Sequence, residues 1–137
     1  MYSIGDLSRH TGVKVPTIRY YEQMGLVSPA HRSEGNQRRY EKADLERLAF
    51  IRHARDLGFD IPAIRDLIAL STHPDMPCAG ADRIAENHLA AVREKIAKLR
   101  KLEHELERIV SHCSGDSVED CYVIRALSHH ELCKAEH

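Results

Sequence analysis

Tryptophan is absent and phenylalanine occurs twice, so five tyrosines supply most of a 5% aromatic content. The core must therefore come from Leu, Ile and Val, with any buried tyrosine needing a partner for its hydroxyl. No run of 18 apolar residues exists, which excludes a membrane-spanning helix. The start, Met1-Tyr2-Ser3-Ile4-Gly5-Asp6, lacks the basic residues and apolar stretch of a secretory signal. A cytoplasmic protein is expected. An excess of one charge is missing too: 20 Lys/Arg face 21 Asp/Glu, for a net charge of −1. Bulk electrostatics therefore announces no polyanionic or polycationic partner. The distribution is weakly uneven, with residues 1–60 near +2 and the remainder near −3. There is no His-Glu-x-x-His zinc helix and no Gly-rich phosphate cradle. No enzyme is expected.

Cysteine is scarce, but the four present are placed informatively. In a reducing compartment they read as metal or redox groups more readily than as a disulfide frame. Cys78 precedes a charged, leucine-containing segment of roughly 82–110, and Cys113 and Cys121 follow it, separated by seven residues. A helix over that segment spans about 40 Å at ~1.5 Å per residue, so Cys78 cannot reach its own Cys113. Antiparallel pairing with a second copy brings one chain's Cys78 to the other's Cys113 and Cys121. Leu89, Val92, Ile96, Leu99, Leu106 and Val110 follow heptad spacing, broken at Glu103 and widened by Leu102 and Ile109. A helix with such a stripe and little core to pack against predicts a coiled-coil homodimer.

The first half reads as short helices. Ser3 as N-cap with Asp6 three residues on opens one, which Thr11-Gly12 ends. Pro16 suits the first turn of a second, Val15 to Met24, stopped by Gly25. Helix, Gly-containing turn and helix make a helix-turn-helix candidate, though any helical hairpin shares the pattern. Residues 28–40 have no helical period. Two short strands around Gly35-Asn36 would form a wing carrying Arg32, Arg38 and Arg39. Guanidinium groups there match phosphate oxygens in a fork geometry. Helices over Ala43 to Leu57 and Ile61 to Leu70 follow, the latter bounded by Pro62 and by Thr72-His73-Pro74-Asp75.

The chain resembles the MerR family of transcriptional regulators over residues 2 to about 127. The resemblance rests on Tyr2-Ser3-Ile4-Gly5-Asp6-Leu7, Thr17-Ile18-Arg19-Tyr20-Tyr21-Glu22, Gly25-Leu26 with Pro29, and Arg32 with Gly35-Asn36-Gln37-Arg38-Arg39-Tyr40. Leu48-Ala49-Phe50-Ile51 through Leu57-Gly58-Phe59 extends it. Gln37 departs from it, standing where the family has an aromatic residue. The resemblance implies a mainly α fold: a winged helix-turn-helix DNA-binding domain, a long antiparallel dimerisation helix and a C-terminal metal-binding loop. Domain limits of 1–75, 76–111 and 112–137 follow. It implies a homodimer on double-stranded promoter DNA, which distorts the spacer between promoter elements so that RNA polymerase can engage. Carried over by position, Arg19 contacts DNA with Thr17, Tyr20 and Tyr21 nearby. Arg32, Arg38 and Tyr40 grip phosphate from the wing, and Arg55 makes a second such contact. One of Tyr20 and Tyr21 is expected inside and the other outward, while Arg47 and Arg52 are expected as solvated charges.

The resemblance also bears on the effector. A cysteine pair after the long helix marks metal-sensing members, and a cysteine at the Cys78 position marks those sensing divalent ions. Members selective for Cu(I) or Ag(I) have serine there, although the seven-residue spacing resembles theirs. A third thiolate raises coordination number and negative charge, which favours a divalent ion. The expected metal set is Cys78, Cys113 and Cys121, with His112 as an added nitrogen donor. Zn(II) is placed before Cd(II) and Pb(II). The alternatives are a Cu(I)/Ag(I) activator and a thiol-based redox sensor of the same fold. His129, His130, Cys133 and His137 have spacings that would share a helical face and make a second site, against a frayed tail.

Overall fold

The computed structural model describes residues 1–28, 31–32, 35, 38–112 and 121–129. Its elements are α1 (Ile4–Thr11), α2 (Val15–Gln23), β1 (His31–Arg32), β2 (Arg38–Arg39), α3 (Lys42–Asp56), α4 (Ile61–Ser71), α5 (Ala79–Ser111) and α6 (Tyr122–Ser128). The fold is mainly α, as expected. The chain divides into two compact units, Met1–Ile84 and Ala85–His137.

Three helices of the first unit, α1, α3 and α4, start where local chemistry satisfies orphan backbone donors. The Ser3 hydroxyl accepts from the Asp6 amide at 3.1 Å, and the Asp6 carboxylate accepts from the Ser3 amide at 3.0 Å. Glu41 and Asp44 form the same reciprocal box at α3. Asp60 accepts from the Ala63 amide at 2.9 Å to open α4. α2 has no side-chain cap; Pro16 occupies its first turn instead, where its missing N–H costs nothing. Gly12 ends α1 at φ 75, with its N–H donating to the Ser8 carbonyl. A β-carbon there would lie 2.5 Å from Arg52 Nη1, so the backbone favours glycine and any larger residue would displace the end of the Arg52 side chain.

The two strands pair antiparallel, with His31 opposite Arg39 and Arg32 opposite Arg38. Beyond β2 the chain is pinned to the N-terminus. Tyr2 and Tyr40 exchange two backbone hydrogen bonds, of 2.7 and 2.6 Å. The core beneath is aliphatic, as the composition requires: Leu7, Val13, Ile18, Leu26, Val27, Leu48, Ile51, Ile64 and Ile68 are buried with Tyr21 and Tyr40. Each fully buried aliphatic side chain stabilises the fold by ~1.5–3 kcal/mol.

α5 is longer than its apolar pattern suggests, 33 residues, or ~50 Å at 1.5 Å per residue. Its first turn begins directly after Pro77-Cys78, and the Asp82 amide donates to the Cys78 carbonyl. The heptad residues Leu89, Ile96, Leu99, Leu106 and Val110 stand 43–64% exposed in the single chain. α6 is a helix for which the sequence reading assigns none. Seven residues are too few to show a period, and it ends before His129, which is exposed. Among the described residues no helix is long and apolar enough to cross a membrane.

Candidate nucleic-acid interface and metal centre

The 3.6-residue period sorts the α2 side chains. Ile18 and Tyr21 turn into the core, whereas Arg19 and Tyr20 turn outward, with Tyr20 46% exposed and Tyr21 only 7%. The expected split between the two tyrosines is thus present. Thr17 is half-buried at the start of the same helix. α2 therefore presents a guanidinium, a phenol ring and a hydroxyl together, a set suited to DNA phosphates and base edges.

Tyr40 requires a correction. Its expected place is on the phosphate-gripping wing, but its side chain is wholly buried and its hydroxyl donates to the Glu22 carboxylate. The Tyr2 bridge turns the residue after β2 inward, and Glu22 on α2 satisfies its hydroxyl. Tyr40 thereby locks the wing to α2 from within. Arg32 and Arg38 hold opposite positions in the wing ladder, the placement expected for them. Arg55 is exposed, and its Nη1 donates to the Phe59 carbonyl at 2.9 Å, just past the end of α3.

Two arginines have roles that the sequence does not signal. Arg52 is no mere solvated charge: its Nη1 donates to the Thr11 carbonyl at 2.9 Å, tying α3 to the end of α1. Arg65 on α4 donates to the Met24 carbonyl at 2.6 Å, capping the C-terminus of α2. Cations at helix C-termini also meet the negative end of the dipole. Both bonds fix the orientation of the helix-turn-helix.

Cys78 is exposed, its Sγ 3.7 Å from Asp82 Oδ1, and it borders an apolar cavity of about 320 Å³ lined by Phe50, Leu67, Leu70, Met76 and Ala81. Cys121 is half-buried at the N-cap of α6. Cys113, with His130, Cys133 and His137, lies outside the described residues. Among the described residues no group of three His, Cys, Asp or Glu side chains could hold a metal within one chain.

His112 is exposed. Its Nδ1 lies 2.7 Å from the Arg108 carbonyl. A carbonyl only accepts, so Nδ1 is the donor here, and in the neutral ring the lone pair then lies on Nε2, the form in which imidazole ligates metal. Thiolate sulfur with one such nitrogen fits a soft or borderline cation. The His112 ring stacks on Tyr122, with centroids 4.9 Å apart and planes at 27°. The Tyr122 hydroxyl accepts from Arg108 Nη1 at 2.8 Å. Arg108 in turn pairs with the carboxylate of Glu105, which is buried. Hydrogen bonds to Glu105 and then Tyr122 push the guanidinium pKa above its ordinary value, so the group stays charged.

The family profile described as "MerR HTH family regulatory protein" matches residues 2–70, and the one described as "MerR, DNA binding" matches residues 45–109. "Heavy metal-dependent transcription regulator 2" of Rhizobium meliloti (strain 1021) is 38% identical over 126 residues, covering 92% of this chain and 86% of that protein. The "HTH-type transcriptional regulator ZntR" of Escherichia coli (strain K12) is 37% identical over 130 residues, covering 93% and 92%. The crystal structure of the transcription regulator PbrR691 from Ralstonia metallidurans CH34, in complex with lead(II), superposes with a TM-score of 0.81. It is 35% identical and covers 93% of this chain and 99% of that one.

Proposed function

This chain belongs to the MerR family of helix-turn-helix regulators, and from that premise we propose that it is a cytoplasmic, metal-responsive transcriptional activator. It is a regulator and not an enzyme. It acts as a homodimer on the spacer of a promoter, and a divalent heavy-metal ion is its effector. The observation that carries the reading is the cysteine placement, one ahead of a 33-residue helix and two behind it. Two copies of that helix, paired antiparallel through the exposed heptad stripe, bring one chain's Cys78 to the other's Cys113 and Cys121. Relatives described as heavy metal-dependent, and one solved with lead(II), support the metal reading.

Cys78, Cys113 and Cys121 would bind as thiolates, and His112 through Nε2. Thiols lose their protons on binding, so affinity falls on acidification. A bound ion held by these residues would cross-link the subunits; the ranking Zn(II), then Cd(II) and Pb(II), follows from the mixed nitrogen and sulfur set. Arg19, Tyr20 and Thr17 on α2, with Arg32 and Arg38 on the wing, hold the DNA. Distortion of the spacer then brings both promoter elements within reach of RNA polymerase.

The test is transcription from the cognate promoter with reduced protein and buffered Zn(II), Cd(II), Pb(II) and Cu(I). Activation by the divalent ions and its loss in Cys78→Ser is the expected result. Activation by Cu(I) alone, indifferent to Cys78, would mean a two-thiolate site for a monovalent ion. A response to oxidant that survives Cys78→Ser without metal would mean a redox sensor.

A further inference from the structure

Each face of α4 meets a different part of the fold. Ile64 and Ile68, one turn apart, are buried in the core. Arg65 reaches the end of α2, where its Nη2 donates at 2.6 Å to the carbonyl of Met24, the C-cap of that helix. The Met24 amide in turn donates to the Tyr20 carbonyl at 3.0 Å. Leu70 meets the first turn of α5 at Gly80, where an added β-carbon would lie 3.3 Å from Leu70 Cδ1 and 3.4 Å from Cδ2. The α5 backbone and the leucine methyls therefore touch with no side chain between them. Arg65 and Leu70 are five positions apart, about 7.5 Å along the helix and roughly 140° around it. All these residues belong to the unit Met1–Ile84.

We propose that α4 is a strut through which the start of α5 sets the angle of the recognition helix. Leu70 against Gly80 is its input, and Arg65 on the Met24 carbonyl is its output. Both are positioning residues, outside the DNA-contacting and metal-ligating sets. The inference rests on the metal-responsive reading, because Cys78 stands two residues ahead of Gly80 and an ion held there would displace that turn. A helix moves as a rigid piece, so a shift imposed at Leu70 reaches Arg65 as a tilt about the buried Ile64 and Ile68. Leu70 also borders the cavity of about 320 Å³, which gives it room to move. At the other end the guanidinium bond is charge-assisted and faces the negative end of the α2 dipole. The end of α2 therefore follows Arg65, and Arg19 and Tyr20 lie about one turn back from it.

The test is transcription by the full-length protein at saturating operator occupancy, read as the ratio with and without buffered Zn(II). Arg65→Met keeps the stem and removes the donors, and is expected to lower that ratio about fivefold, the small end of ordinary coupling between sites. Arg65→Lys restores a charged donor and should recover part of the loss. Leu70→Ala withdraws the methyls from Gly80 and should lower the ratio comparably. The double variant should be no worse than either single, because the two contacts act in series. A residue that only stabilised the fold would weaken operator binding in both states and leave the ratio unmoved once the operator is saturated. A metal-free readout runs beside it. Leu70→Ala should shift the backbone amide resonances of Arg19 and Tyr20, and should leave them unmoved in an Arg65→Met background. An unchanged ratio in Arg65→Met, losses that multiply in the double variant, or resonances indifferent to Leu70→Ala would overturn the strut. Shifts that depend on Arg65, in a wild type indifferent to Zn(II), Cd(II) and Pb(II), would keep the strut and overturn the metal reading. Should Leu70→Ala unfold, the two Arg65 variants decide alone, since that side chain is exposed.

Discussion

Replacing Gly12 by alanine isolates two separable demands that one glycine meets. The first is conformational: φ is 75, and an L-residue forced into the left-handed region loses ~1–2 kcal/mol. The second is steric. An added β-carbon would sit 2.5 Å from Arg52 Nη1, so the guanidinium must leave the Thr11 carbonyl. A charged hydrogen bond of this kind is nominally worth ~1.5–3 kcal/mol. The Arg52 side chain is 41% exposed, and screening by water reduces its value to about 1 kcal/mol or less. The whole cost of Gly12→Ala is therefore ~2 kcal/mol, a fall of about 4–8 °C in melting temperature at ~2–4 °C per kcal/mol. In an Arg52→Ala background only the backbone part remains, and Gly12→Ala should cost about 1 kcal/mol less than in the wild type. Gly12→Asn reverses the split, because Asn tolerates positive φ but still meets Arg52. Urea unfolding at one fixed protein concentration is the assay, since a dimer's apparent stability depends on concentration. A Gly12→Ala cost under about 0.5 kcal/mol, within the range of ordinary surface changes, would refute the reasoning. An equal cost with and without Arg52 would refute its steric half.

Arg19→Ala should weaken operator binding about tenfold with unchanged helical content, and a phosphate contact there would flatten the log K against log salt slope by about 1; equal affinities would remove Arg19 from the interface. Tyr40→Phe takes one donor from Glu22 and should cost ~1–2 kcal/mol of stability while DNA affinity per folded dimer stays the same. Loss of affinity at unchanged stability would return Tyr40 to the phosphate-contacting set. The Asp6 carboxylate is held below its ordinary 3.8 by the Ser3 amide and hydroxyl, and then by Arg9. A depressed folded value means its contribution is complete above 3.8 and is lost as pH falls through the folded value. Amide exchange in the first turn of α1 should rise in that acid range, and a variant with Asp6→Asn should show no such step.

What the sequence made legible was chemistry confined to a few neighbouring residues. Ser3 with Asp6, Pro16, Pro62, and the glycines at 12 and 25 act within one turn, so their spacing announces the helix ends found. The heptad stripe is also local, repeated. Illegible were the bonds that join distant segments. Arg52 to the Thr11 carbonyl and Arg65 to the Met24 carbonyl each span 41 positions, and every residue has a carbonyl, so nothing in the sequence marks the acceptor. Tyr40 was misplaced for a related reason. A two-residue strand has no alternation to fix its faces. Its inward turn comes from the bridge to Tyr2 and from Glu22 on another helix. Glu105 reads as one more solvated charge of a polar helix, and its burial goes with its ion pair to Arg108, which in turn bonds Tyr122.

The exposed stripe also decides what metal removal should do. Leu99, Leu106 and Val110 are each at least 60% exposed in the single chain, and covering each in a second copy is worth ~1 kcal/mol or more. Those gains recur on both chains and need no metal. Under the proposed reading the coiled coil would bring the thiols at the helix ends into register, and the metal site would adjust a dimer that already exists. Sedimentation at micromolar concentration should therefore show dimers both in EDTA and in buffered Zn(II), with promoter DNA bound in each case and transcription rising only with metal. Dissociation to monomers in EDTA would place the ion among the forces that hold the dimer together. The apolar stripe would then be insufficient, and a response graded by subunit association would replace one graded by DNA distortion.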